Sequence, residues 1–344
     1  MRTFTVKERL AARMNLLPAA IYDSFPAVLL GRALVIGHKL GIFDALANQP
    51  RSDAQLASTL GLPLKSVQLL LPPLAASGYL KKSGTDYTLT PQSSKWLVAS
   101  SPYYIGNFMA YIELLQGHWI SLEETLKQGH PVKSYVESFT EPEWKIYTLG
   151  MMDLARLLIP RVISKLILPS ETKTLLDVCG SHGLYSIELC KRNPTLIATI
   201  ADFPEVLATT REIIRANKME DRIRLLPCDV TKTMFEHEEF DAILAFNIVH
   251  GFSPEANERF LTSLGFALKH GGILFILDQL SDTRSKGVGQ LLPLMVGLNL
   301  LNEIGGNVYR FEEVKLWCEK AGLKRVKMRR LSVPGVHLVE ARKN

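Results

Sequence analysis

Three aspartates close successive apolar runs in the second half of the chain. They are Asp177 in Thr174-Leu-Leu-Asp-Val, Asp202 in Leu196-Ile-Ala-Thr-Ile-Ala-Asp, and Asp229 in Ile223-Arg-Leu-Leu-Pro-Cys-Asp. Between Asp177 and the next amphipathic stretch lies Val-Cys-Gly-Ser-His-Gly, where Gly180 and Gly183 permit close approach of backbone to a ligand. A dinucleotide site would carry G-x-G-x-x-G with its pyrophosphate on a helix N-terminus. This loop lacks the third glycine, and Asp177 before it would repel a pyrophosphate. Asp177 suits a cationic amino-acid moiety instead, held directly or through water. Asp202 suits ribose hydroxyls, and Asp229 suits an adenine amino group. Together they describe a charged nucleoside without phosphate, of which S-adenosylmethionine is the type. One aspartate ending a strand would be an ordinary turn cap. Three in register with a Gly-x-x-Gly loop carry the argument.

The elements that must position these groups follow from hydrophobic periodicity. From Lys173 onward, short apolar runs alternate with amphipathic segments. The runs at 174–178, 196–202, 223–229, 241–247 and 271–278 read as strands, with helices at 184–190, 206–217 and 254–269 between them. Such alternation implies an α/β domain with a doubly wound, mostly parallel sheet. Its ligand lies at the carboxyl ends of the strands, near the switch point. The apolar stretch Leu291–Leu301 either lines an apolar pocket or is a plain core helix.

The first part of the chain has another texture. Apolar spacing from Ile21 to Leu46 is helical, with breaks at Pro26 and Gly41. Ser52 or Asp53 caps a short helix that Gly61 closes, and Leu64–Ser77 is a further helix ended by Gly78. Two short runs, Tyr79–Lys82 and Tyr87–Thr90, flank Ser83–Asp86 as a hairpin. The order is that of a winged helix. A DNA-reading helix would need basic and amide side chains toward base edges. Leu64–Ser77 offers Lys65 and Gln68 on a face otherwise rich in Leu, and Pro72-Pro73 is expected to break its regularity. A buried or self-associating helix fits better than a nucleic-acid partner. Between the two textures, Trp119, Leu122 and Leu126 keep helical spacing up to Gly129, and Trp144–Leu168 reads as a long helix.

Composition bounds the rest. The chain has 344 residues, 47% hydrophobic and 22% charged, which is globular and long enough for two domains. A formal charge of +6 selects neither nucleic acid nor membrane as partner. The four cysteines, Cys179, Cys190, Cys228 and Cys318, have no CxxC spacing and no histidine cluster, so no metal site is expected and a reducing cytoplasm fits. The N-terminus has no apolar core of a secretory signal, and Leu291–Leu301, taken as the longest apolar stretch, is too short to span a bilayer.

These motifs, with others in the same order, resemble the S-adenosylmethionine-dependent small-molecule O-methyltransferases, which include plant caffeate and isoflavone enzymes and bacterial polyketide and carotenoid enzymes. The marks are LGIFDAL (Leu40–Leu46), LASTLGL (Leu56–Leu62), YTLTPQS (Tyr87–Ser93), HWISLEETLKQGHP (His118–Pro131), GMMD (Gly150–Asp153), LLDVCGSHG (Leu175–Gly183), ADFPEV (Ala201–Val206), Cys228-Asp229, NIVHGFS (Asn247–Ser253), Gly271-Gly272 and IGG (Ile304–Gly306). The resemblance implies a winged-helix dimerisation domain over residues 1–105, a helical linker and pocket wall over 106–168, and a Rossmann-like methyltransferase domain over 169–344. It implies a homodimer held by the first of these domains. Gly180 and Gly183 would lie beside the methionine part of the cofactor, Asp202 on the ribose and Asp229 near the adenine. Asp177, Phe203, Val230, Asn247 and Met151 complete the expected cofactor set, Met151 near the reacting methyl. His250 takes the place of the general base, and Asp278 that of the acid orienting it.

Three departures bear on that chemistry. The family's His-Asp-Trp is His250-Gly251-Phe252 here, the second acid expected after Gly305-Gly306 is Val308, and Cys179 and Ser181 stand where glycines are usual. Either His250 works with one partner, or the acceptor needs no strong base. The expected reaction is methyl transfer to a hydroxyl of a small, partly apolar molecule. The same scaffold methylating carbon or sulfur, or binding S-adenosylmethionine without transfer, are the other readings. Taken alone, His250 beside Ser253-Pro254 would read as a helix cap, His182 as a turn residue, His118 as packing or pocket wall, and Met151-Met152 as core.

Overall fold

A computed structural model describes residues 5–281, 287–331, 333 and 335–344. The chain divides into two units, one reaching to Leu115 and one beginning at Gln116.

In the first unit, helix boundaries sit where short-range chemistry puts them. Pro26 opens the helix Pro26–Lys39, and Gly41 turns the chain at φ +80 into Ile42–Ala45. Ser52 and Gln55 close a reciprocal capping box on the helix Asp53–Leu60, and Gly61 ends it in the left-handed conformation. A small antiparallel sheet of order β1-β3-β2 follows from β1 (Arg51–Ser52), β2 (Leu80–Ser83) and β3 (Asp86–Leu89). The helix Leu64–Ala76 runs straight through Pro72 and Pro73, contrary to the expected break. Both prolines are exposed, while Val67, Leu71 and Leu74 on the other face are fully buried. Burial of that face, worth ~1.5–3 kcal/mol per large aliphatic side chain, outweighs two missing N–H donors. Its outer face shows Leu64 and Leu69 to solvent.

Another correction concerns apolar length. Among the described residues, the stretch long and apolar enough to cross a membrane is Ala19–Lys39, not Leu291–Leu301. It meets that test by length and composition only, and it bends at Phe25.

The second unit is built on a seven-stranded sheet. Its strands are β4 (Thr174–Val178), β5 (Ile197–Asp202), β6 (Ile223–Pro227), β7 (Phe240–Phe246), β8 (Leu268–Gln279), β9 (Leu323–Arg330) and β10 (Val336–Lys343), in the order β6-β5-β4-β7-β8-β10-β9. The first five are parallel neighbours, and β10 is antiparallel to both β8 and β9. The chain winds outward from β4 to β6, then returns to the other side of β4 for β7, so the switch point falls at the end of β4. Successive residues such as Leu175 and Leu176 enter opposite core layers, because side chains alternate across a strand. The five parallel strands match the expected doubly wound sheet. The antiparallel pair β9–β10 and the helix Phe311–Lys320 were not expected.

The helical stretch before the sheet differs in detail. A 3-10 turn, Trp119–Ser121, precedes the helix Leu122–Gln128, which Gly129 ends. The long helix is Glu141–Ile163 rather than 144–168: Thr140 and Glu143 form its capping box, and Ser164 ends it. Val288–Ile304 is a single helix closed by Gly305.

Candidate active site

The loop after β4 departs from glycine in its side chains but not in its backbone. Cys179, Ser181 and Gly183 all take positive φ, at 53, 42 and 67 degrees. A left-handed non-glycine residue costs roughly 1–2 kcal/mol, so two such residues mark a conformation imposed by their surroundings. The surroundings are visible. Cys179 N–H donates to Ala201 O at 2.8 Å, Ser181 N–H to Asp202 Oδ2 at 2.9 Å, and Gly183 N–H to Gly180 O at 2.8 Å. Thr210 Oγ1 donates to Ser181 O.

Gly180 is required by shape. A Cβ there would lie 2.6 Å from the Asp177 carboxyl carbon. Asp177 is buried and accepts a hydrogen bond from Ser186 Oγ at 2.7 Å. Burial pushes its carboxyl up to about 7, against the Ser186 hydrogen bond and with help from Asp202. Asp202 uses one oxygen on Ser181 N–H and the other on Phe203 N–H at 2.8 Å. Burial pushes it up to about 6, against those two bonds. A carboxylate offers about four lone-pair sites, so each oxygen of Asp202 retains one. Neither acid forms a salt bridge with Lys or Arg among the described residues. Two buried carboxylates at the switch point, with no basic partner and beside a buried Ser181 Oγ that lacks one among the described residues, fit a cationic nucleoside such as S-adenosylmethionine.

Asp229 lies just past β6, which ends at Pro227 rather than at Asp229. It accepts from Thr231 N–H at 3.0 Å and Thr231 Oγ1 at 2.6 Å and pairs with Lys232 at 2.8 Å. Partial burial raises its carboxyl, but the bonds from Lys232 and Thr231 outweigh it and hold the group low. Val230 is buried and lines a hollow of about 180 Å³ with Phe252 and Phe260. Phe203 stands against Trp144, with ring centroids 6.1 Å apart. Asn247 is exposed just after β7 in a left-handed conformation, φ 51, and donates its N–H to Leu277 O. Met151 is half-buried on the long helix, one turn after Tyr147.

His250 sits on the 3-10 turn Val249–Gly251 after β7, and Asp278 near the end of β8. Parallel pairing of β7 and β8 brings them together. His250 Nδ1 lies 2.6 Å from Asp278 Oδ1, and His250 N–H donates to Asp278 Oδ2 at 3.2 Å. Asp278 is buried, and the imidazole is 15% exposed. With Nδ1–H donated to the carboxylate, Nε2 keeps its lone pair for a proton. The cap of the next helix, Pro254–Ala267, is Ser253, which accepts from Ala256 N–H. His250 is therefore free of the capping role. Its carbonyl accepts from Asn307 N–H at 2.8 Å, and a Cβ on Gly306 would come within 2.2 Å of that carbonyl. Val308 brings no carboxylate, so Asp278 is the acid paired with the ring.

His182 bonds the start of the helix Leu184–Arg192, whose N-cap is Gly183. Its Nδ1 accepts from Leu184 N–H at 3.1 Å, which fixes the Nε2–H tautomer. Burial pushes its pKa down to about 4, with Arg156 adding to the effect, so the ring is neutral at pH 7.

Sequence reasoning missed Ser186, the first-turn serine that holds Asp177, and the aromatic face of the long helix. Tyr135, Phe139, Trp144 and Tyr147 form a chain of ring contacts, with Tyr135 and Phe139 stacked at 5.1 Å. Tyr147 is pushed up to about 12 by burial, opposed by a hydrogen bond with Tyr135 and reinforced by Asp202, Cys179 and Glu303. Its phenol thus lies within electrostatic reach of the cofactor loop and of the helix Val288–Ile304. Spacing of 144, 147 and 151 on one helical face was the available signal.

A doubly wound sheet with buried acids at its switch point and a histidine–aspartate pair after the next strands is a Rossmann-like architecture suited to a nucleoside cofactor. Residues 124–324 match the model of the O-methyltransferase domain, and residues 23–99 that of the O-methyltransferase dimerisation domain. The chain is 26% identical over 334 residues to 3-hydroxy-5-methyl-1-naphthoate 3-O-methyltransferase of Streptomyces sahachiroi, covering 94% of each. It is 25% identical over 348 residues to acetylserotonin O-methyltransferase of Mus musculus, covering 94% of this chain and 88% of that protein. The fold matches that of human N-acetylserotonin methyltransferase in complex with S-adenosylmethionine, at a TM-score of 0.83 and 21% identity, covering 99% of this chain and 100% of that one. The chain belongs to the O-methyltransferase family. It is an S-adenosylmethionine-dependent methyltransferase.

Proposed function

We propose that His250 is the general base of this methyl transfer, with Asp278 fixing its tautomer, and that the acceptor is a phenol. The observation that carries the reading is the 2.6 Å contact between His250 Nδ1 and Asp278, which leaves Nε2 available for a proton. S-adenosylmethionine supplies the electrophilic methyl group. A phenol of pKa near 10 is only about 0.1% ionised at pH 7, so a base within hydrogen-bond reach matters. His250 takes the phenolic proton as the oxygen becomes nucleophilic, a contribution of roughly 10²–10⁴-fold. Asp278 stabilises the resulting imidazolium. Alignment of the reacting atoms supplies more, up to about 7–11 kcal/mol.

Asp177, Gly180 and Gly183 hold the amino-acid end of the cofactor, with Asp202 and Phe203 at the ribose and Asp229 and Val230 at the adenine. Met151 and Asn247 border the methyl-transfer region. Exposed apolar residues on the first unit support a homodimer: Ile21, Phe25, Val28 and Leu29 recur at helical spacing and are 57%, 66%, 64% and 53% exposed. Four free thiols suit a reducing cytoplasm.

The test is His250→Ala assayed with labelled S-adenosylmethionine against phenols, thiols and activated carbon acids. Turnover on phenols should fall at least about 10²-fold, with cofactor affinity by calorimetry unchanged. Undiminished turnover on phenols would remove the base role.

A further inference from the structure

A second histidine–carboxylate pair lies outside the base and cofactor set. His118 Nδ1 is 3.0 Å from Glu303 Oε2, and the Glu303 side chain is 2% exposed. The other oxygen, Glu303 Oε1, is buried and makes no hydrogen bond of good geometry among the described residues; the neighbouring Asn302 amide and His118 stabilise the carboxylate, but burial outweighs them. Asn302 Oδ1 is likewise buried without a hydrogen-bond partner among the described residues, while its amide nitrogen donates to His118 O at 3.1 Å. Two buried acceptor atoms on one helical turn thus want donors, and leaving such atoms unpaired costs about 1–3 kcal/mol each.

Their location ties them to the reaction. Ile304, the next residue, stands 3.1 Å from where a Cβ on Gly251 would lie, beside His250. Two residues past the helix's Gly305 cap, Asn307 N–H holds the His250 carbonyl. Glu303 also acts electrostatically on Tyr147, which feels Asp202 and Cys179 of the cofactor site. Rings connect the two ends: Phe203, Trp144, Tyr147 and Tyr135 on one side, Phe139 and His118 on the other.

We infer that Glu303, positioned by His118, is a specificity-determining residue that accepts a hydrogen bond from a second donor on an aromatic acceptor, an amino or hydroxyl substituent apart from the methylated oxygen. The aromatic chain provides the flat surface for the ring, and Glu303 Oε1 with Asn302 Oδ1 provides the polar end. A site built to receive a donor rejects an analogue lacking it, because its own buried acceptors then stay unpaired. The inference rests on the phenol reading above.

The test measures transfer to the three aminophenols, the three dihydroxybenzenes, phenol and the cresols. The wild type should favour at least one two-donor acceptor over phenol by tenfold or more in kcat/KM. Glu303→Leu should raise KM for that acceptor at least tenfold, with kcat within about threefold, while kcat/KM for phenol rises because Glu303 no longer leaves an acceptor unpaired. The paired variant His118→Phe with Glu303→Leu removes both members, so no lone polar partner is left buried, and should behave alike. Calorimetry with S-adenosylhomocysteine should give the wild-type affinity for both. Equal losses on phenol and on the two-donor acceptor, or an unchanged preference, would overturn the inference while leaving the phenol reading intact. Transfer by the wild type to none of these compounds would overturn both.

Discussion

The carboxyls of Asp177 and Asp202 are held near pH 7 and pH 6, above the ordinary value near 4, chiefly by burial. The folded chain therefore keeps protons that the unfolded chain has already released. Their contribution to stability is greatest below about pH 4 and is lost as pH rises through about 6 and 7. The Tm of the ligand-free protein should fall between about pH 5 and 7.5, and Asp177→Asn should flatten that slope. A sulfonium and an ammonium favour the ionised carboxylates, so cofactor affinity should strengthen over the same interval. Gly180→Ala sets a methyl group against the Asp177 carboxylate and should weaken cofactor binding by at least about tenfold, or ~1.4 kcal/mol, by calorimetry. Ser181→Gly relieves a left-handed serine and should raise stability by about 1 kcal/mol in denaturant unfolding. At this scale, the strand-end acids and Gly180 stood out because each lies beside a turn that the local sequence announces, whereas His250 and Asp278 were singled out by the family resemblance. Ser186, Tyr147 and Glu303 were not. Their roles depend on partners brought together by the fold, as with His118 and Glu303, which lie 185 positions apart.

At the scale of elements, prolines and glycines separate local preference from packing. Pro72→Ala restores a donor on an exposed helical face and should stabilise the first unit by about 1 kcal/mol, read as a higher Tm. Gly265 is the opposite case. A Cβ there would lie 2.4 Å from Ala321 O, at the packing of Pro254–Ala267 on Phe311–Lys320. Gly265→Ala should cost about 1–3 kcal/mol although alanine is the better helix former. The parallel strands were readable because each carries a mostly apolar run between turn signals. β9 was not, because Leu-Lys-Arg-Val-Lys-Met-Arg-Arg reads as a solvated charge run. Those cations suit an edge strand, where charge discourages pairing with another chain. The helix through Pro72-Pro73 was misread for the complementary reason: its local cost is visible in the sequence, and the buried face that overrides it is not.

For the whole molecule, assembly is the property most open to test. Phe25→Asp together with Val28→Asp places two charges on the exposed apolar row of the first unit. Analytical ultracentrifugation should show the wild type as a dimer and this variant as a monomer with an unchanged Tm for the second unit.

The seating of β10 between β8 and β9 has a consequence for synthesis. His337 on β10 stands opposite Asp278 on β8, so the strand holding the acid partner of His250 is flanked by the described strand that comes last in the sequence. A nascent chain on the ribosome can assemble the cofactor loop early, but β8 stays an open edge until Val336–Lys343 emerges and threads into place. A chain in which β10 has not yet paired with β8 therefore carries an open strand edge that invites aggregation.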